Sequence, residues 1–194
     1  MQGTPTAARV RVLDVAERLF TERGYNAVTL RDIAGQLGIS QASLYHHAPG
    51  GKEQLYVEVT ERALDRHRLA LEAAITTAGP SLAPQLTAVS QWLLSQPPMD
   101  LQRMSRADMP SIAHEHAHRL EQITYQSLLV PLDRAFRTSM ERGEIVLPLN
   151  PTLVAGAFLA VIESLHDARR YARQTADEMA GQMIAVFLNG LRPR

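Results

Sequence analysis

An all-α fold is predicted for this chain, on three observations. Apolar residues recur at helical spacing, alanine and leucine are abundant, and glycine and proline fall mostly between the periodic runs. Aromatic residues are scarce, at 5%, and no segment carries the alternation of a strand. With 194 residues, 45% hydrophobic and 21% charged, the chain can bury a real core and divide into one or two domains.

The first helix is predicted from about Thr6 to Arg23. Val12, Ala16, Leu19 and Phe20 form one stripe, and Gly24 is its stop. A short helix begins at Thr29, where Thr29 and Asp32 have the spacing of a capping box. It carries Ile33, Ala34 and Leu37 and stops at Gly38; Ser40 caps the next, which turns Leu44 inward. A long helix is expected from about Lys52 to Thr77, with shorter ones at about Ser81–Gln96 and Leu101–Met109. Another spans Ser111 to Arg142, with a kink or break at Pro131. The last two are expected at about Pro151–Arg173 and Ala176–Leu191.

Lys+Arg and Asp+Glu both number 20, so any contact with nucleic acid must be local. Through Lys52 the basic residues exceed the acidic by two, with His46 and His47 nearby. Without cysteine there are no disulfides, thiolate zinc sites or cysteine nucleophiles. The opening residues lack the apolar stretch of a signal peptide. The run "LVAGAFLAVI" from Leu153 has about half of the ~20 residues a membrane span needs. A soluble, cytoplasmic protein with no membrane partner is expected.

The segment "TLRDIAGQLGISQASLYHH" carries the functional signal. Two short helices crossing steeply need a small residue where their backbones meet and a glycine where the turn takes positive φ. Ala34 and Gly38 supply these, and Ile33, Leu37, Ile39 and Leu44 lock the pair onto the first helix. Gln41, Ala42, Ser43, Tyr45 and His46 are left on or near the outer face of a helix suited to a DNA major groove. Gln41 can pair with an adenine edge, Ser43 with a base or a phosphate, and Ala42 can meet a thymine methyl. Tyr45, His46, Lys52 and the Thr29 hydroxyl suit phosphate contacts, and Arg31 can reach backbone or base; Ser40, at the start of this helix, is also a candidate for DNA binding. The bland alternative is a helical hairpin with a solvated polar face.

From about Arg9 to Tyr56 the sequence resembles the N-terminal domain of TetR-family repressors. The matching features are Phe20 with "ERGY", Thr29, "DIA" at Asp32, "GIS" at Gly38, "LYHH" at Leu44 and "GKE" at Gly51. Ala48 departs from the pattern: the family typically carries an aromatic there, and its loss is expected to loosen the loop before Lys52. The resemblance implies a helix-turn-helix DNA-binding domain over 1–50 and a connecting helix over 51–78. A helical ligand-binding and dimerisation domain follows over 79–194. It also implies a homodimer through the last two helices, an operator as DNA partner, and release by a small-molecule effector. Ala155, Phe158, Leu159, Ile162 and Leu165, followed by Arg169, Arg170 and Arg173, suit one interface helix. Met179, Met183, Val186 and Phe187 suit the other.

Leu64, Leu71, Trp92, Met99, Met104, Met109, Tyr125 and Leu129 are the candidates for lining a lipophilic effector cavity; for any one of them, core filling is the stronger reading. One further pattern competes. His114, Glu115 and His118 match H-E-x-x-H, two imidazoles one helical turn apart with Glu115 as a base. A peptidase also needs a third ligand and an edge strand, and no strand is predicted, so an enzyme is not expected. A divalent metal completed by Asp108 or His166 is the alternative for those histidines, against a merely solvated polar face. No other cofactor is expected.

Overall fold

The computed structural model describes residues 6–146, 150–168 and 170–191, and every described element is helical. Arg169, one of the three arginines singled out above, lies outside the described residues. Helix α1 (Ala7–Ala27) is capped by the Thr6 hydroxyl and interrupted at Gly24, where φ is 78°. Then come α2 (Leu30–Leu37), α3 (Gln41–His47), α4 (Gly51–Thr77) and α5 (Leu82–Ser95). Helix α6 (Leu101–Arg103) runs into a π turn (Met104–Asp108) and a 3-10 turn (Met109–Ser111). Helices α7 (His114–Thr124), α8 (Val130–Glu141), α9 (Pro151–Ala168) and α10 (Ala176–Leu191) complete the order. None of the described helices is long and apolar enough to cross a membrane.

Two segments differ from expectation. Pro131 does not break the 111–142 stretch at its own position; the chain opens into a π turn (Tyr125–Leu129) immediately before α8. Proline has no N–H to give and its ring crowds the carbonyl four residues back, so a wider turn absorbs the mismatch. The penultimate helix stops at Ala168 rather than Arg173. The polar residues that follow lead to a new start, where Thr175 and Glu178 exchange capping hydrogen bonds.

The chain divides into two compact units: 6–63 with 99–123, and 64–98 with the described part of 124–191. The first has one apolar core, in which Leu19, Ile33, Leu44 and Leu55 meet Met104, Met109 and Leu120. A ring cluster of Phe20, Tyr25 and Tyr56, with centroids 5.0–6.2 Å apart, sits within it. The second unit centres on Leu86, Leu93, Phe136 and Phe158, all essentially inaccessible, with Phe158 edge-on to Phe136 and to Phe187.

His67 is an exception in that second core. It is 4% exposed and accepts at Nδ1 from the Trp92 indole at 3.3 Å. Burial pushes its imidazole down to about 4. Between that value and the ordinary 6.5, the unfolded chain takes a proton that the folded one refuses. Stability is therefore whole above pH 6.5 and falls as the pH drops toward 4, by on the order of 3 kcal/mol. Denaturant titrations across that range should show the slope, and His67→Gln should flatten it. An unchanged slope in the variant assigns the pH dependence elsewhere.

Candidate nucleic-acid interface

The helix pair at 29–47 is built from local bonds. Asp32 accepts from the Thr29 amide at 2.8 Å and its hydroxyl at 2.6 Å, while the Asp32 amide donates back to the Thr29 hydroxyl at 3.2 Å. Both halves of the capping box are present, and these bonds hold the Asp32 carboxyl below its usual range. Gly38 ends α2 in the left-handed region (φ 66°), with its amide bonded to Ala34 and Gly35. That turn aims the chain at Ser40, whose hydroxyl accepts from the Ser43 amide at 3.1 Å to start α3.

Helix α3 buries a single side chain, Leu44, which is inaccessible in the core of the first unit, the head (6–63 with 99–123). Gln41, Ala42, Tyr45 and His46 are exposed and Ser43 half-buried. Tyr45 keeps 48% of its surface. Thr29, Arg31 and Ser40 are exposed as well. A seven-residue helix held by one leucine thus presents donors, acceptors and a methyl outward, the equipment of direct base readout.

Lys52 is placed differently from the other residues picked for phosphate contact. Its ammonium donates to the Tyr25 carbonyl at 2.9 Å and lies 3.9 Å over the Tyr25 ring, and burial lowers its affinity for the proton. It braces the end of α1 against the start of α4. Ala48 is 3% exposed in the same core. The loop after it is closed by bonds from the Ala48 amide to Leu44 and from the Gly51 amide to Ala48, so the missing aromatic leaves a regular turn.

The head is also tied to a segment distant in sequence. At the Gly24 break the Tyr25 amide donates to the Asp108 carboxylate at 2.9 Å. Arg103, 3.5 Å from Asp108, donates to the carbonyls of Phe20 and Thr21. A Cβ at Gly24 would stand 3.0 Å from both side chains, so glycine is required for space as well as for φ. Glu53, at the start of α4, accepts from the Ala113 amide at 2.9 Å and meets His116 Nδ1 at 2.7 Å, which together lower its carboxyl's proton affinity. Sequence reasoning missed Arg103, Glu53 and His116, along with this role of Asp108.

The metal reading of His114, His118, Asp108 and His166 finds no support among the described residues. No group of three His, Cys, Asp or Glu side chains suited to a metal occurs among the described residues. Asp108 is committed to Tyr25 and Arg103, whereas His114 and His118 stack as exposed rings 6.4 Å apart and His118 meets Gln122. His166 lies on α9 in the other unit. Glu115, the base of the hydrolase reading, is exposed on α7, and no strand occurs among the described residues.

The eight candidate lining residues also scatter. Leu64 and Leu71 are wholly buried, Trp92 is engaged by His67, Met109 fills the head's core, and Tyr125 and Leu129 lie on the π turn before α8. Met99 and Met104 share the wall of a cavity of about 60 Å³ within the first unit, beside Tyr56 and Arg103. That is well below the ~300 Å³ at which drug-sized pockets begin.

Residues 12–59 match the family model for bacterial regulatory proteins of the tetR family. The uncharacterized HTH-type transcriptional regulator Rv1255c of Mycobacterium tuberculosis is 30% identical over 182 residues, covering 92% of this chain and 82% of that protein. The chain belongs to the tetR family. Another member, the HTH-type transcriptional repressor KstR2 of Rhodococcus jostii, is 35% identical over 96 residues. That match takes in 42% of this chain and spans about half of the relative, 47% of its length. AibR, solved with isovaleryl coenzyme A and operator DNA, shares the fold at a TM-score of 0.74 and 20% identity, covering 92% of this chain and 96% of its own. The tetR-family match takes in α2, α3 and their caps at Thr29, Gly38 and Ser40; Arg103, Asp108 and His116 lie beyond it.

Proposed function

We propose that this chain is a ligand-responsive transcriptional repressor. It binds a palindromic operator as a homodimer and leaves it when a small lipophilic effector occupies the C-terminal part. The reading rests on the outward face of α3, where Gln41, Ala42, Tyr45 and His46 stand clear of a core reached only by Leu44. In this scheme residues 1–50 read DNA, 51–78 connect, and 79–194, apart from the 99–123 stretch that completes the first unit, carry effector binding and dimerisation in a cytoplasmic protein.

A seven-residue helix offers too few contacts for a tight monomeric reader, which favours a dimer with half-sites about 34–36 Å apart. Leu153 on α9 and Val186 on α10, each more than 60% exposed, supply apolar surface for the pairing. Effector control finds support in AibR, which was solved with both an acyl-coenzyme A and operator DNA. The effector releases DNA only by its differential affinity for two states of the dimer, a coupling on the order of 1–3 kcal/mol.

Selection of bound sites from random duplex DNA tests the proposal and should return a palindromic consensus. Gln41→Ala should then relax one base position by about 1–3 kcal/mol while leaving the salt dependence unchanged. A parent protein that holds every duplex equally sinks the reading. A Gln41 variant with the parent's preferences removes that residue from base contact.

A further inference from the structure

The C-terminal unit carries a groove unrelated to the features above. It is a cleft of about 300 Å³ between the last turns of α4, the α4–α5 turn and α8. Ile75, Pro80 and Pro131 give it an apolar wall, and Arg134, Thr138 and Arg142 give it a polar one. These last three follow one another at four-residue intervals, so they stand in a row on one side of α8.

Neither arginine of this row is ion-paired among the described residues. Arg134 has no carboxylate partner among the described residues, and the Arg142 guanidinium donates to the Pro80 carbonyl, at 2.7 Å. Of the nearby carboxylates, Glu72 lines the cleft but is paired with Arg68 at 3.2 Å, and Glu144 is turned to the Leu82 amide at 3.1 Å. On the neighbouring side of α8, Arg137 is neutralised by Asp133 through two bonds. The contrast on one helix separates a solvated surface from a cationic cleft.

The cleft is also held in shape before anything enters it. Gln85 donates to the Gly79 carbonyl at 2.7 Å, Arg142 fixes Pro80, and Glu144 caps α5 at Leu82. A pinned wall lowers the ordering cost of binding. Two guanidinium groups separated by about 12 Å of helix rise, with a threonine hydroxyl midway, match phosphate oxygens better than a single carboxylate.

We infer that this groove binds a small phosphate-bearing molecule, its phosphate or diphosphate between Arg134 and Arg142 and its carbon portion against Ile75 and the two prolines. The site is defined within the C-terminal unit and stands or falls independently of the repressor proposal.

Calorimetric titration of the full chain with inorganic pyrophosphate should show saturable binding at near-physiological salt. Arg134→Gln and Arg142→Gln should each weaken it about tenfold or more, and Arg137→Gln should not change it. Malonate should bind less tightly than pyrophosphate. Thermal melts accompany each variant; Arg134 has no side-chain bond to another element among the described residues, so its variant keeps the test meaningful if Arg142→Gln loosens the turn. Absence of pyrophosphate binding, equal binding by the Arg134 variant, or malonate binding as tightly as pyrophosphate overturns the inference.

Discussion

Leu44→Ala should destabilise the N-terminal unit by about 2–5 kcal/mol and abolish sequence-specific DNA binding in the same stroke. Leu44 is the one buried side chain of α3 and is wholly inaccessible. Truncating it opens a void beneath a seven-residue helix that has no second anchor, and a helix this short does not hold without tertiary packing. Tyr45→Ala, one residue on, removes a side chain 48% exposed and should change stability by less than about 1 kcal/mol. Chemical denaturation and binding to the selected operator, measured on both variants, separate the two cases. A Leu44 variant that melts with the parent contradicts the core assignment; one that unfolds easily yet still reads the operator contradicts the role given to α3.

The second large effect is expected at Asp108. Its side chain is 4% exposed and accepts the Tyr25 amide where α1 breaks, with Arg103 alongside. Asp108→Ala leaves a buried N–H without its acceptor and a half-buried guanidinium with only the more distant Asp100, at 3.9 Å, as counter-charge, a loss of about 2–4 kcal/mol. Asp108→Asn keeps an acceptor for Tyr25 but not the charge, so it should fall between the two. Operator affinity at a temperature where all three proteins are folded tells whether the contact also sets the head's DNA-reading geometry. An alanine variant as stable as the parent would show that water replaces the carboxylate at no cost.

What could be read from the sequence was what depends on near neighbours. The Thr29–Asp32 box, the Gly38 stop, the Ser40 cap and the inward Leu44 each rest on signals within four residues, and each is found in place. The bond from Tyr25 to Asp108 joins positions 83 residues apart, and no local pattern announces it. A hint existed in Asp108 standing beside Met109 and four residues after Met104, an acid in apolar company. In the histidine-rich helix, spacing favoured His114 and His118, which share a face. His116, two residues on from His114 and so rotated to another face, is the one that meets a carboxylate, Glu53. Lys52 could not be placed from sequence either, because a lysine near DNA-facing residues looks the same whether it points outward or folds back over a tyrosine ring.

Because 99–123 belongs to the same compact body as 6–63, the unit that carries the proposed DNA-reading helix is not a contiguous cassette. An excision ending after Ala63 would strip away Met104, Met109 and Leu120 and leave their apolar seats bare to water. Transplanting this unit onto another protein therefore calls for a graft of two stretches of sequence, the second carrying its own share of the core.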